Sequence, residues 1–209
     1  MSGSAGDRPI EAEVKFILPT GFDVPSLQRA LRLRGYLSMT VAQEDIYLGH
    51  YARDFGSTDE ALRVRSERTL PSSDGPLPPF PRQAHRRGWS TWLTYKGPKL
   101  DARSKARVEV EVSTGPTVTQ ALLAAGFTTV ARVRKIRQSW RGGTGPQPTL
   151  EVAIDEVVGL GLFVELEQRT TVDDLEQTVD RLLQEGAELL GAGVGTERRS
   201  YLELLLRGS

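Results

Sequence analysis

The first residues able to do chemistry stand together in Glu11-Ala12-Glu13-Val14-Lys15. In an extended chain successive side chains point to opposite faces, so Glu11, Glu13 and Lys15 share one side of a strand, and Ala12, Val14 and Phe16 the other. Carboxylates two residues apart, about 7 Å along a strand, suit a hard divalent ion such as Mg2+ or Mn2+, which takes oxygen ligands and keeps several waters. One such strand on its own is ordinarily the wet face of an antiparallel sheet. Here the pattern recurs with complementary signs: Arg63 and Arg65 share a face, as do Arg107, Glu109 and Glu111, then Lys135 and Arg137, then Glu165 and Glu167, while Lys96 and Asp155 sit in strand-like segments. Arginine and lysine at this spacing suit phosphate oxygens, arginine through forked hydrogen bonds and lysine as a point charge. Together the two sets describe a site for a metal-bound polyphosphate. There is no Gly-rich Walker loop, so side chains rather than backbone amides would hold the phosphates.

Strands must position these residues. Beyond the opening strand, strand character is expected over 41–48, 60–68, 89–96 (ended by Gly97-Pro98), 104–113, 128–140, 150–157 and 162–168. Helices are expected over 24–33, after Pro19-Thr20-Gly21 and with Pro25 near the start, over 117–125, and over 173–190 with Thr171 or Asp173 as cap. A terminal helix is expected to dock over 200–206. Residues 71–88, rich in Pro, Ser and Gly and then basic from Arg82 to Arg87, read as a long surface loop whose charges are a solvated cluster, a lid or an anionic contact. Each charged strand face is backed by Val, Leu, Ala or Phe, which helices can cover from outside, turning the charged faces toward a shared interior. The expected class is therefore α+β: one domain over 1–209, built as an eight-stranded antiparallel β-barrel with a polar interior and covering helices. Burying unpaired ions costs several kcal/mol each, so such an interior must be wet, internally paired, or filled by highly charged ligands.

Composition narrows the remaining choices. Twenty-seven Lys and Arg balance twenty-seven Asp and Glu over 209 residues, so net charge gives no argument for nucleic acid or an anionic membrane as partner, and anion binding has to be local. Without cysteine there is no disulfide, thiolate metal site or cysteine nucleophile. The two histidines, His50 and His85, have no metal-ligand spacing. Met1 to Pro9 lacks the apolar core of a signal peptide, and no apolar run is long enough to span a bilayer, so a cytoplasmic protein is expected.

The opening Glu-x-Glu-x-Lys resembles that of the CYTH family, the triphosphate tunnel metalloenzymes, which include class IV adenylyl cyclases and thiamine triphosphatases. Further matches follow in the family's order: Leu62-Arg63-Val64-Arg65, Tyr95-Lys96-Gly97-Pro98, Arg107 to Glu111, Lys135-Ile136-Arg137, Asp155-Glu156-Val157, Gly159 to Glu167, and Arg199-Ser200-Tyr201. The resemblance implies an eight-stranded tunnel that takes a triphosphate and Mg2+ or Mn2+. It implies metal ligands at Glu11, Glu13, Glu109, Glu111, Glu165 and Glu167, and phosphate contacts from Lys15, Arg63, Arg65, Lys96, Arg107, Lys135, Arg137 and Arg199. Glu11, Glu13, Lys15 and Asp155 would take part in the chemistry itself. The shared cradle leaves the reaction open. Attack by water hydrolyses the triphosphate, whereas attack by the ribose 3′-hydroxyl of ATP gives cyclic AMP and pyrophosphate. The Arg107, Glu109 and Glu111 strand resembles the triphosphatase branch, while the Gly159 to Phe163 run, Tyr95 to Pro98 and the Arg199-Ser200-Tyr201 ending resemble the cyclase branch; triphosphate hydrolysis is the expected reaction, with cyclisation the alternative. A silent polyphosphate-binding module is a third reading, against which the intact acidic set argues.

Overall fold

Alternation of charged and apolar residues runs through eight strands, and these join into one ring. A computed structural model describes residues 10–71, 75–81, 88–100, 107–142, 150–191 and 193–207. In chain order the strands are β1 (Ile10–Ile17), β2 (Leu37–His50), β3 (Ala61–Leu70), β4 (Ser90–Lys99), β5 (Arg107–Thr114), β6 (Phe127–Arg141), β7 (Glu151–Val157) and β8 (Gly161–Thr170). They form a closed antiparallel barrel in the order β1-β5-β4-β3-β2-β6-β7-β8. The α+β barrel expected from the sequence is the fold observed.

Four helices complete it: α1 (Val24–Leu33), α2 (Val118–Ala124), α3 (Leu175–Leu190) and α4 (Tyr201–Arg207). The main core lies outside the barrel wall. Ala12, Val14 and Phe16 of β1 pack with Val152, Ile154, Val164 and Leu166, under Leu27 and Leu31 of α1 and Val179 and Leu182 of α3. Asp23 caps α1 by accepting from Ser26 N at 3.1 Å, and Pro25 sits in the first turn, where its missing N–H costs nothing. The α3 helix begins at Leu175 with Asp174 as cap residue. Thr171 instead holds the turn before it, donating to Asp174 Oδ2 at 3.0 Å.

Two expectations are corrected. Gly97-Pro98 does not end β4, which runs on to Lys99 through a shift in its register with β5 between Lys96 and Lys99. A bulge is where a sheet tolerates proline, because the residue's missing donor falls outside the ladder. Nor do helices cover every outer face: Val108, Val110 and Val112 of β5 are 52%, 61% and 55% exposed.

Within the 71–88 loop, Gly75 and Gln28 of α1 bond reciprocally, Gly75 N to Gln28 Oε1 at 3.0 Å and Gln28 Nε2 to Gly75 O at 2.9 Å, so this part is fastened to the outer wall. The basic run 82–87, His85, Met1 to Pro9, the start of the expected 104–113 strand and most of the 142–148 turn lie outside the described residues.

Candidate active site

The barrel encloses a cavity of about 650 Å³. Its lining includes Glu11, Glu13, Arg63, Arg65, Lys96, Arg107, Glu109, Glu111, Lys135, Arg137, Glu165 and Glu167. Six strands therefore deliver these side chains to one chamber. Lys15, Asp155 and Arg199 do not line it. Lys15 and Asp155 are buried in the wall, and the Arg199 guanidinium pairs with Glu197, its Nε donating to Glu197 Oε1 at 2.9 Å.

One part of the chamber is a row of carboxylates. Glu13 of β1 lies directly across from Glu167 of β8, and Glu167 directly across from Glu151 of β7. Like charges in directly opposed cross-strand positions repel. Burial, together with the charges of Glu11 and Glu13, pushes Glu167 up to about 8, so a proton is retained there at neutral pH. Lys96 pairs with Glu109 at the edge of this region, and Thr94 Oγ1 donates to Glu111 Oε2 at 2.7 Å.

The other part is a crowd of cations held by two buried aspartates. Asp45 of β2 accepts from Arg65 Nε at 2.7 Å and Arg65 Nη2 at 2.8 Å. Asp155 of β7 accepts from Lys135 Nζ at 2.8 Å, Arg137 Nε at 2.7 Å, Arg137 Nη2 at 2.6 Å and the Tyr201 hydroxyl at 2.8 Å. Burial alone would raise both carboxylates, but Arg65 and Arg63 hold Asp45 well below its ordinary value, and Arg137 and Lys135 lower Asp155. Burial and the nearby Arg137 charge lower Lys135 to about 8 despite its bond to Asp155. Arg137 also reaches Glu165, joining the two parts. The Arg63 Nε is buried and has no hydrogen-bond partner among the described residues.

The end of the barrel beside the cations is covered by α4. Tyr201 packs with Tyr47, Val133, Val157 and Phe163, backed by Leu202, Leu204 and Leu205. The Lys15 ammonium donates to the Arg199 carbonyl and lies 4.1 Å from the centre of the Tyr201 ring, where the aromatic face attracts a cation.

Several residues of the chamber escaped sequence reasoning. Asp45 and Tyr47 share a face of the alternating Gln43, Asp45, Tyr47 series, so their signal was present; Lys99 was hidden by the expectation that Gly97-Pro98 ends the strand. Asp59 also lines the chamber, from a loop where alternation has no phase to read; Glu60, at the start of the expected 60–68 strand, falls on the face opposite Arg63 and Arg65, and Arg169 continues the Glu165 and Glu167 face one residue past the expected end at 168.

Oxygen ligands in a half-buried, mutually repelling row are a donor set suited to a hard divalent cation. Among the described residues no three carboxylates converge closely enough to enclose an ion.

The family model for the CYTH domain matches residues 9–201. The chain belongs to the CYTH family. A Methanocaldococcus jannaschii protein named "Putative adenylate cyclase" is 38% identical over 168 residues, covering 78% of this chain and 80% of that protein. Among solved CYTH-like folds, the PH1819 protein of Pyrococcus horikoshii superposes with a TM-score of 0.74 at 34% identity, covering 95% of this chain and 99% of that one. HpAC1 of Hippeastrum, for which a dominant triphosphatase activity is stated, gives a TM-score of 0.62 at 20% identity over 97% of each chain. At that identity the likeness is one of fold. Among the described residues no helix is long and apolar enough to cross a membrane.

Proposed function

We propose that this CYTH chain binds a triphosphate in its chamber together with Mg2+ or Mn2+ and cleaves a phosphoanhydride bond by hydrolysis. The observation that carries the reading is the division of one chamber into a carboxylate row and a cation crowd, with Arg63 Nε buried and lacking a partner. Leaving a buried charged donor unmade is costly, and a phosphate oxygen would satisfy it. Arg63, Arg65, Lys135 and Arg137 would bind and orient the phosphates, neutralising charge that shifts onto the leaving group during cleavage. Lys96 and Arg107, nearer Glu109, would hold the phosphate facing the metal. Glu11, Glu13, Glu165 and Glu167, with Glu109 and Glu111, would hold the ion. Such an ion supplies Lewis-acid polarisation of the phosphoryl oxygens and lowers the pKa of a bound water. Asp155, already engaged by four donors from three residues and held below its ordinary pKa, is a weak base and acts by keeping Lys135 and Arg137 in place. Lys15, engaged beneath α4, would reach phosphate if α4 shifts.

The triphosphatase activity stated for HpAC1 supports hydrolysis on this fold. The name of the 38% identical M. jannaschii protein supports cyclisation of ATP as the second reading. Incubation with tripolyphosphate, thiamine triphosphate and ATP, each with Mg2+ or Mn2+, followed by product identification, separates the two. Phosphate release without cyclic AMP is the expected result; cyclic AMP with pyrophosphate from ATP would replace hydrolysis by cyclisation, and no product from any substrate would leave a binding module.

A further inference from the structure

We propose that Asp45 is a positioning residue, fixing the guanidinium groups of Arg63 and Arg65 in the geometry that receives phosphate. The proposal rests on the triphosphate reading and adds a residue that acts through the arginines it holds. Asp45 stands directly opposite Arg65 in the β2–β3 register, and is only 3% exposed. Its two oxygens take Arg65 Nε and Nη2 at 2.7 and 2.8 Å, a two-point fork that fixes the plane of the guanidinium as well as its place. Arg63 Nη1 approaches Asp45 Oδ2 at 3.4 Å, while the same residue's Nε has no partner. One carboxylate thus braces two arginines from β3.

The arrangement is repeated across the neighbouring strand. Asp155 forks Arg137 in the same way and also takes Lys135. Arg65, Lys135 and Arg137 lie close enough to repel one another electrostatically, so in the absence of the two aspartates these long side chains would spread apart. Preorganised donors bind charge without having to reorganise, and a misplacement of about 1 Å can lose up to roughly a hundredfold in rate.

The consequence has a sign opposite to simple electrostatics. Asp45→Asn removes a negative charge from the chamber, so by field alone it would tighten triphosphate binding. By positioning, it weakens binding. The test measures tripolyphosphate affinity by calorimetry for wild type, Asp45→Asn and Asp45→Glu, alongside the Nε–H resonance of Arg65 in an arginine-labelled sample. In the wild type that resonance is expected to be protected from solvent exchange; rapid exchange there would overturn the proposal without any variant, should the variants fail to fold. Loss of protection in Asp45→Asn with affinity falling roughly tenfold or more, and incomplete recovery in Asp45→Glu, whose carboxylate sits one methylene further out, supports it. Tighter or unchanged binding in Asp45→Asn overturns it while leaving the triphosphate reading standing. Failure of the wild type to bind tripolyphosphate at all overturns that reading and this role with it, although the Arg65 resonance would still report whether the brace exists.

Discussion

Glu167 has a carboxylate opposite it on either side, Glu13 on β1 and Glu151 on β7, and the cost of that row sets its protonation. With a folded value of about 8 against 4.5 for an unperturbed glutamate, the folded state keeps a proton over a range in which the unfolded chain has lost it. Stability then falls as pH rises from about 4.5 to about 8. The melting temperature of the metal-free protein is expected to decline across that window, and Glu167→Gln should flatten the decline; a profile identical to wild type would show that Glu167 does not carry the proton. If the row takes a divalent ion, binding below pH 8 must displace this proton, so Mg2+ affinity should strengthen with rising pH. Calorimetry in buffers of different ionisation enthalpy would detect the proton released. Lys135 sets an opposing limit. Its charge is lost as pH rises through about 8, so triphosphate affinity should decline beyond that point, to the extent that bound phosphate has not raised the value. Glu13→Gln should lower metal-dependent turnover by at least about a hundredfold with an unchanged circular dichroism spectrum.

Among the elements, α3 shows how closely the outer wall is fitted. Gly186 lies over Phe16 of β1, and a Cβ built on it would stand 2.1 Å from the Phe16 ring. In an exposed helix, Gly to Ala stabilises by up to about 1 kcal/mol. Here the added methyl has to displace a buried ring, so Gly186→Ala is expected to destabilise by about 1–3 kcal/mol, measurable by urea denaturation. A gain in stability would mean that the helix moves away from β1 at little cost. The same closeness explains why β1 can hold Glu11, Glu13 and Lys15 in place: its other face is locked under α1 and α3. On β4 the register shift around Gly97-Pro98 serves a different purpose. It carries the strand on to Lys99, whose ammonium meets Asp59 Oδ1 at 2.5 Å, and leaves the Gly97 carbonyl to accept from Arg107 Nη1 at 3.3 Å.

At the scale of the whole molecule, the outer face of β5 is open: among the described residues, Val108, Val110 and Val112 have no helix over them. Native-state hydrogen exchange should therefore find the amides of β5 less protected than those of β6 or β8. Glu109 and Glu111 lie on this strand, so Mg2+ together with tripolyphosphate is expected to raise protection there if they bind the ion. Unchanged exchange with both ligands present would remove β5 from the metal site.

By itself the sequence determined the alternation, and with it which residues face the same side: Glu11, Glu13 and Lys15, then Arg63 and Arg65, then Glu165 and Glu167. Because a strand has a period of two, face membership is a local property, and the resemblance to CYTH proteins followed from the same local motifs. Closure of the ring also agreed with the sequence, since charged faces backed by apolar ones leave a curved sheet with helices outside. Partnership was not local. That Glu167 meets both Glu13 and Glu151, that Asp45 braces Arg65, and that Tyr201 reaches Asp155 from a helix 46 residues further along the chain depend on cross-strand register and on where α4 docks. Register is decided by packing of the outer faces and by bulges such as the one at Gly97-Pro98, through contacts between residues far apart in sequence. Charge pairing and protonation follow from those contacts, and for that reason only the tertiary structure decided them.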